Sequence, residues 1–154
     1  MDNDNSQTAL SEQVAALADE QAIRDHILRY ADAVDRRDWD VLDATFAHDA
    51  VVAGLMGERP IGPYLEFLKG SVEAYAKTMH VFSNQLVDLE PGADKATATT
   101  YAVAYHLEEP DATKDDLVVA LVYFDELTRQ GDGWVVSRRR TESKWIKGPL
   151  PSSD

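Results

Sequence analysis

A carboxylate set among apolar side chains on one helix face can act as a general base, or orient one, and Asp35 holds such a position. It lies in Ile23–Asp38, IRDHILRYADAVDRRD, where helical spacing otherwise sorts apolar from charged residues. With Ile23 as origin and about 100° per residue, Ile27, Ala31, Val34, Leu28 and Tyr30 share one broad arc. Asp25, His26, Arg29, Asp32 and Arg36 fall opposite. Asp35 lands inside the apolar arc, between Ala31 and Leu28. Burying an unpaired charge is costly, so this carboxylate must be paired or face a cavity. A salt bridge to Arg24, Arg36 or a strand arginine would satisfy it, and so would a partner in proton transfer.

The four histidines divide by setting. His26 reads as solvated on the polar helical face, and His48 as solvated in a loop beside Asp49. His80, Phe82, Asn84 and Leu86 share one face of a strand-like segment. Ala98, Thr100, Ala102, Ala104 and His106 share a face of the next, and its small residues leave room for a pocket beside a histidine. The opposite face carries Thr99, Tyr101, Val103 and Tyr105, so His106 and Tyr105 cannot both look into one cavity. Taken singly, His80 fits a hydrogen-bonded core histidine. His106, just ahead of Glu108, Glu109 and Pro110, fits a strand end near the surface. Tyr30, Tyr101, Tyr105 and Tyr123 fit packing residues with a hydrogen-bonded hydroxyl. Trp134, Val136, Arg138 and Arg140 share one side of the last strand, where the run Arg138-Arg139-Arg140 fits a solvated edge. A metal site built from Asp35, His80 and His106 is conceivable. The same three residues suit metal-free acid–base chemistry, however, and nothing in their spacing asks for an ion.

Holding these residues in place takes helices first and strands later. Residues 1–10 and 148–154 read as flexible tails around one domain over 11–147. Ser11 suits a helix cap, and a second start near Asp19 leads into the main helix through Val34. Trp39, Leu42 and Phe46 give Asp38–Asp49 helical spacing, and Ala50–Met56 looks like a strand closed by Gly57. Pro63 suits the first turn of a further helix over Tyr64–Ala76. Thr78–Glu90, Lys95–Glu108, Leu117–Arg129 and Trp134–Ile146 then read as long strands joined by turns at Pro91-Gly92 and Gly131-Asp132-Gly133. The class is α+β, with a strongly curved antiparallel sheet.

Composition narrows the function classes. The chain has 154 residues, 44% of them hydrophobic, and a formal net charge of −13. Such acidity argues against non-specific binding to nucleic acid or anionic membrane. Without cysteine there is no disulfide and no thiolate nucleophile, in keeping with a reducing cytoplasm. The opening MDNDNSQT has neither a basic nor an apolar leader region, and no apolar run approaches membrane-spanning length. The dinucleotide glycine fingerprint, the P-loop, the G-x-S-x-G elbow and H-E-x-x-H are all absent.

Three segments read together carry a resemblance: LADEQAIRDHILRYADAVDRRDWDVLDATFAHDAV, TMHVFSNQLVDLEPGADKATATTYAVAYHL and YFDELTRQGDGWVVSRRR. Their order is a helix ending in D-x-x-D-W, an H-x-x-x-N strand, and Y-x-D…G-W in the last hairpin. The chain resembles the SnoaL-like branch of the nuclear-transport-factor-two-like superfamily. In motif it is similar to scytalone dehydratase, bile acid 7α-dehydratase and hexachlorocyclohexane dehydrochlorinase. The resemblance implies a cone-shaped α+β barrel whose mouth admits a small apolar ligand. It implies that Asp35 pairs with His80 as a general base, with Tyr30 matching a tyrosine five residues before the aspartate in the bile acid enzyme. Scytalone dehydratase has its tyrosine immediately before the aspartate, where this chain has Val34.

His106 and Arg140 correspond to further pocket residues of those enzymes. Tyr105, Tyr123, Phe82 and Asn84 complete the expected substrate-contacting set. The implied activity is a cofactor-independent lyase of dehydratase type, acting on a small, largely apolar hydroxylated or carbonyl-bearing substrate. Isomerase or polyketide-cyclase chemistry through an enolate, and ligand binding without catalysis, are the alternatives. A homodimer or homotrimer is implied by the same resemblance. One difficulty is geometric: Tyr30 and Asp35 lie about 140° apart on an ideal helix. Both can serve one ligand only if it spans the helix face or the helix end unwinds.

Overall fold

A computed structural model describes residues 2–150, with side chains from Asn5 onward. The chain opens with α1 (Asp2–Arg36), one continuous helix. A tail to residue 10 and a cap at Ser11 were expected instead. The physical reason is plain: no glycine or proline precedes Gly54, so nothing interrupts the helix. Residues 5–15 are solvent-exposed and carry no burial periodicity. From Ile23 on the helix enters the core, burying Ile23, Ile27, Tyr30, Ala33 and Val34. Leu28, placed in the apolar arc by spacing, is 45% exposed.

The end of α1 is fixed by its last turn. Arg37 adopts a left-handed conformation (φ 56°). Its N–H bonds to the Val34 carbonyl at 3.2 Å, and the Asp38 N–H to the Ala33 carbonyl at 2.9 Å. This is the paired closure that usually employs glycine. An arginine here carries strain, offset by its guanidinium donating to the Tyr75 carbonyl at 2.9 Å. Asp38 then caps the short α2 (Trp39–Ala44) by accepting from the Val41 N–H. The helix end therefore stays wound, with Asp35 in its final turn.

After α2 come β1 (Phe46–Gly54), β2 (Gly57–Pro60), α3 (Ile61–Glu73), β3 (Lys77–Asp88), β4 (Lys95–Leu107), β5 (Leu117–Gln130) and β6 (Gly133–Lys147). They form one six-stranded sheet in the order β2-β1-β6-β5-β4-β3. β1 and β6 run parallel and every other neighbouring pair antiparallel. The sheet curls around the second half of α1 without closing. The inner face of β4 is the small-residue face: Ala96, Ala98, Thr100, Ala102, Ala104 and His106 are all buried. Side chains that small leave room inside the curl of the sheet.

Two of the one-residue irregularities in the sheet turn expected side chains away from the inside. Between Ser83 and Gln85 the β3–β4 register shifts, and Asn84, with φ 36°, is the extra residue. Between Glu126 and Leu127 the β5–β6 register shifts, leaving Ser137 without a partner. A bulge reverses the inside–outside alternation beyond it. Past Asn84 it is Gln85 and Val87 that turn inward, while Leu86 is 70% exposed. Past Ser137 it is Arg139 that turns inward, and Arg138 and Arg140 turn out.

Candidate active site

Asp35 is paired with His80 through both carboxylate oxygens. The His80 backbone N–H donates to Oδ2 at 2.7 Å, and ring Nδ1 lies 2.7 Å from Oδ1. Arg24 is engaged elsewhere, with Glu20 and the Gln85 carbonyl, and Arg36 lies beside Asp32. A carboxylate in the last turn of a helix stands against the helix dipole. Burial adds to that by pushing the Asp35 pKa upward. The two His80 hydrogen bonds overcome both effects and hold its carboxyl below the usual carboxylate range. An ionised Asp35 accepts from Nδ1–H and so fixes the tautomer that leaves Nε2 as the basic nitrogen.

His80 in turn lines a cavity of about 270 Å³. The cavity is walled by Tyr30, the β1–β2 hairpin, α3, the inner faces of β4 to β6, and Leu150. Leu150 is the last described residue of the stretch read as a C-terminal tail. Asp35 itself sits behind His80 and is not part of the wall. This resolves the 140° separation, because Tyr30 meets the cavity directly and Asp35 acts on it through the imidazole. His106 joins them: its ring centroid is 5.5 Å from that of His80, and its Nδ1 is buried with no hydrogen-bond partner. Burial, together with the neighbouring His80, pushes the His106 pKa down to about 4. His106 therefore stays neutral at physiological pH, and it is a buried wall residue, not a surface strand end. Tyr123 also lines the cavity, and Phe82 stands behind it, with ring centroids 5.4 Å apart.

Three expected substrate contacts lie elsewhere. Tyr105 is on the outer sheet face, 37% exposed. Asn84 is the exposed bulge residue. Arg140 points outward against Phe124 and Glu142. His26, expected in solvent, is partly buried with Nε2 at 2.9 Å from the Thr45 carbonyl, and burial lowers its pKa. His48 is exposed as expected.

The inward-turned arginine of the run is Arg139, fully buried against Tyr30 and Tyr123 outside the cavity wall and directly opposite Asp125 in the β5–β6 register. Its Nε and Nη2 donate to the two Asp125 oxygens at 2.7 and 2.8 Å. Burial disfavours the guanidinium charge, but the Asp125 carboxylate more than restores it, so the arginine pKa is raised. The guanidinium carbon sits 4.3 Å from the ring centroids of both Tyr30 and Tyr123, a cation–π contact with two rings set edge to face. Nη1 has no hydrogen-bond partner. Burial, with Tyr30 as the next cause, raises the Tyr64 and Tyr123 phenol pKa values well above the ordinary range. Those hydroxyls remain protonated donors at the cavity wall. The sequence did hold a signal for this pair: Asp125 interrupts the apolar run LVVALVYF, and a carboxylate there demands a buried cation. Among the described residues, no group of three or more histidine, cysteine, aspartate or glutamate side chains is placed to hold a metal ion.

A helix lies in an open, curled sheet, and the imidazole held by Asp35 forms part of the wall of the cavity between them. A family model described as the SnoaL-like domain matches residues 15–140, and the chain belongs to that family. An uncharacterised protein of Mycobacterium tuberculosis is 28% identical over 133 residues, covering 82% of this chain and 86% of that one. Among solved structures, a candidate scytalone dehydratase from Novosphingobium aromaticivorans superposes with a TM-score of 0.79 at 20% identity. It covers 91% of this chain and 93% of its own. A hexachlorocyclohexane dehydrochlorinase from Novosphingobium barchaimii superposes with a TM-score of 0.73 at 19% identity, over 91% and 99% of the two chains. At these identities the structural likeness speaks for the fold. Among the described residues, no helix is long and apolar enough to cross a membrane.

Proposed function

We propose that this protein is a cofactor-independent lyase of dehydratase type, with Asp35–His80 as its general base. The observation that carries the reading is the pair of hydrogen bonds from His80 to Asp35, with the same imidazole in the cavity wall. A histidine needed only for packing requires no carboxylate on its ring nitrogen. A base needs one, because the carboxylate stabilises the imidazolium that forms.

In this reading Nε2 of His80 removes a proton made acidic by an adjacent carbonyl. The electrons of the broken C–H bond become the new C=C bond, and the C–O bond to the β-hydroxyl breaks. The departing hydroxide takes a proton from a hydroxyl donor, and the imidazolium proton restores that donor, so water is the net product. Tyr30 is the first candidate donor to the carbonyl or the leaving oxygen. The Arg139 guanidinium against its ring stabilises negative charge gathering on the phenol oxygen. Neutral His106 supplies a further hydrogen bond. Apolar walls from Val52, Leu68, Val119 and Leu121 suit a substrate with a hydrophobic body.

The test is incubation with a panel of cyclic and aryl β-hydroxy ketones, read by mass spectrometry. Loss of the mass of water, abolished in His80→Ala, supports the proposal. Conversion at unchanged mass would instead indicate isomerisation or cyclisation through the same enolate. Binding with no conversion of any member would reject catalysis of this type. We also propose a homodimer or homotrimer formed through the outer sheet face, where Met79, Tyr101 and Trp145 are exposed. Light scattering that showed a monomer at micromolar concentration would contradict it.

A further inference from the structure

The cavity takes its walls from both edges of the sheet, with His80 on edge strand β3 and Arg59 on edge strand β2. Among the described residues Arg59 is the one lysine or arginine in that wall. Its guanidinium carbon lies 5.5 Å from the ring centroid of Phe67 on α3, another wall residue, which steadies the side chain without neutralising it. No carboxylate among the described residues pairs with it. Its strand neighbour Glu58 is taken by Arg138 at 2.5 Å. The other arginines near the cone are engaged too: Arg24 with Glu20, Arg129 with Asp19 and Asp94, and Arg139 with Asp125. In a chain with 28 acidic and 15 basic residues, a cation left without an acid beside an apolar cavity is out of keeping with the charge balance. Its place is at the rim, next to the exposed hairpin residues Leu55 and Met56. The inner end holds His106, Tyr30 and Tyr123, all buried.

We propose that the ligand of this cavity carries a carboxylate, held at the rim by Arg59, on an apolar body that extends inward to His80. The inference rests on the reading of this cavity as the substrate site and adds the charge and orientation of the substrate. The guanidinium offers two parallel N–H donors to a carboxylate. Its local charge also offsets the repulsion that a net −13 protein exerts on an anion.

The experiment compares 2-naphthylacetate with 2-naphthylacetamide, which match in shape and differ in charge, by calorimetric titration. The wild-type protein binds the carboxylate about fivefold or more tightly than the amide, as expected of a half-exposed charge-assisted pair. In Arg59→Gln that preference disappears while amide binding is unchanged, and Arg59→Lys keeps part of it. Equal wild-type affinity for the two probes, a preference that survives in Arg59→Gln, or no carboxylate binding into the millimolar range would overturn the inference. His80→Ala separates it from the catalytic reading, because that variant keeps the charge preference. Loss of turnover bears on the dyad, and loss of preference bears on Arg59.

Discussion

Two carboxylate pairs lie within one cone, an ion pair and a hydrogen-bonded acid–histidine pair, and they are built for opposite purposes. Asp125 and Arg139 face each other across adjacent strands, bidentate and sealed from solvent. The guanidinium charge is held by the carboxylate and by the rings around it, in a medium that penalises a lone ion. Asp35 and His80 are also bonded twice, but the carboxylate retains 23% exposure and the imidazole forms part of a cavity wall. The imidazole there keeps one ring nitrogen clear of the carboxylate, and Asp35 is placed to stabilise a proton taken up on it. The contrast teaches that burial alone does not mark chemistry. A guanidinium locked on a carboxylate sets the shape and charge behind Tyr30 and Tyr123, whereas a histidine held by its Nδ1 leaves a nitrogen free to act.

The largest effect should separate the pairs by what each loss removes. His80→Ala should lower kcat/KM on a converted substrate by about 10²–10⁴-fold and leave folding cooperative. Asp35→Asn should cost about 10²-fold or more through the wrong tautomer. An unaltered turnover in either variant would dissolve the distinction between the pairs. Asp125→Asn should instead act on stability, by about 3–5 kcal/mol in denaturant unfolding, because it strands the buried Arg139 charge. A loss below about 1 kcal/mol would show that the pair is better solvated than its geometry implies.

The next effect is a pH dependence. His106 has its folded-state pKa lowered from 6.5 to about 4, so the unfolded chain binds the extra proton first. Stability is therefore complete above pH 6.5 and falls between pH 6.5 and 4, by up to about 3 kcal/mol. His106→Leu should flatten that segment of the curve in thermal melts across the range. Asp35 contributes in the same direction, but in a more acidic window. Its stabilisation is present above its unfolded value of 3.8 and is lost only as the pH drops through the lower folded value. The smallest effect should come from Arg140→Gln, which faces solvent, and it should alter neither turnover nor melting temperature. A clear loss of activity there would mean that the β6 bulge had been read in the wrong place.

The fold was legible because its signals are of long range in sequence: helical periodicity through Val34, then strand after strand closed by glycine turns. The small residues of β4 pointed to the inner face, but His106 and Tyr105 on opposite faces both stood as candidates until the structure turned His106 inward. Asp35 and His80 were legible for a related reason, since a charge in an apolar arc and an in-facing strand position both survive in regular elements. What escaped was local. Nothing in SRRR distinguishes Arg139 from its neighbours, and the single extra residue Ser137 turned the chosen arginine outward. Asn84 gave a weak hint, since asparagine tolerates the left-handed region, yet alternation carried through it placed Leu86 on the wrong side. The long start of α1 was missed because an exposed helix has no buried stripe to read.

The central claim is that Asp35 holds His80 with its proton on Nδ1 and its lone pair on Nε2. Nitrogen NMR of the ¹⁵N-histidine-labelled protein above pH 8 tests this without any substrate. His80 should show a protonated-type shift at Nδ1 and an unprotonated-type shift at Nε2, and Asp35→Asn should erode the preference. A His80 found with its proton on Nε2 would leave no base facing the cavity and would contradict the account.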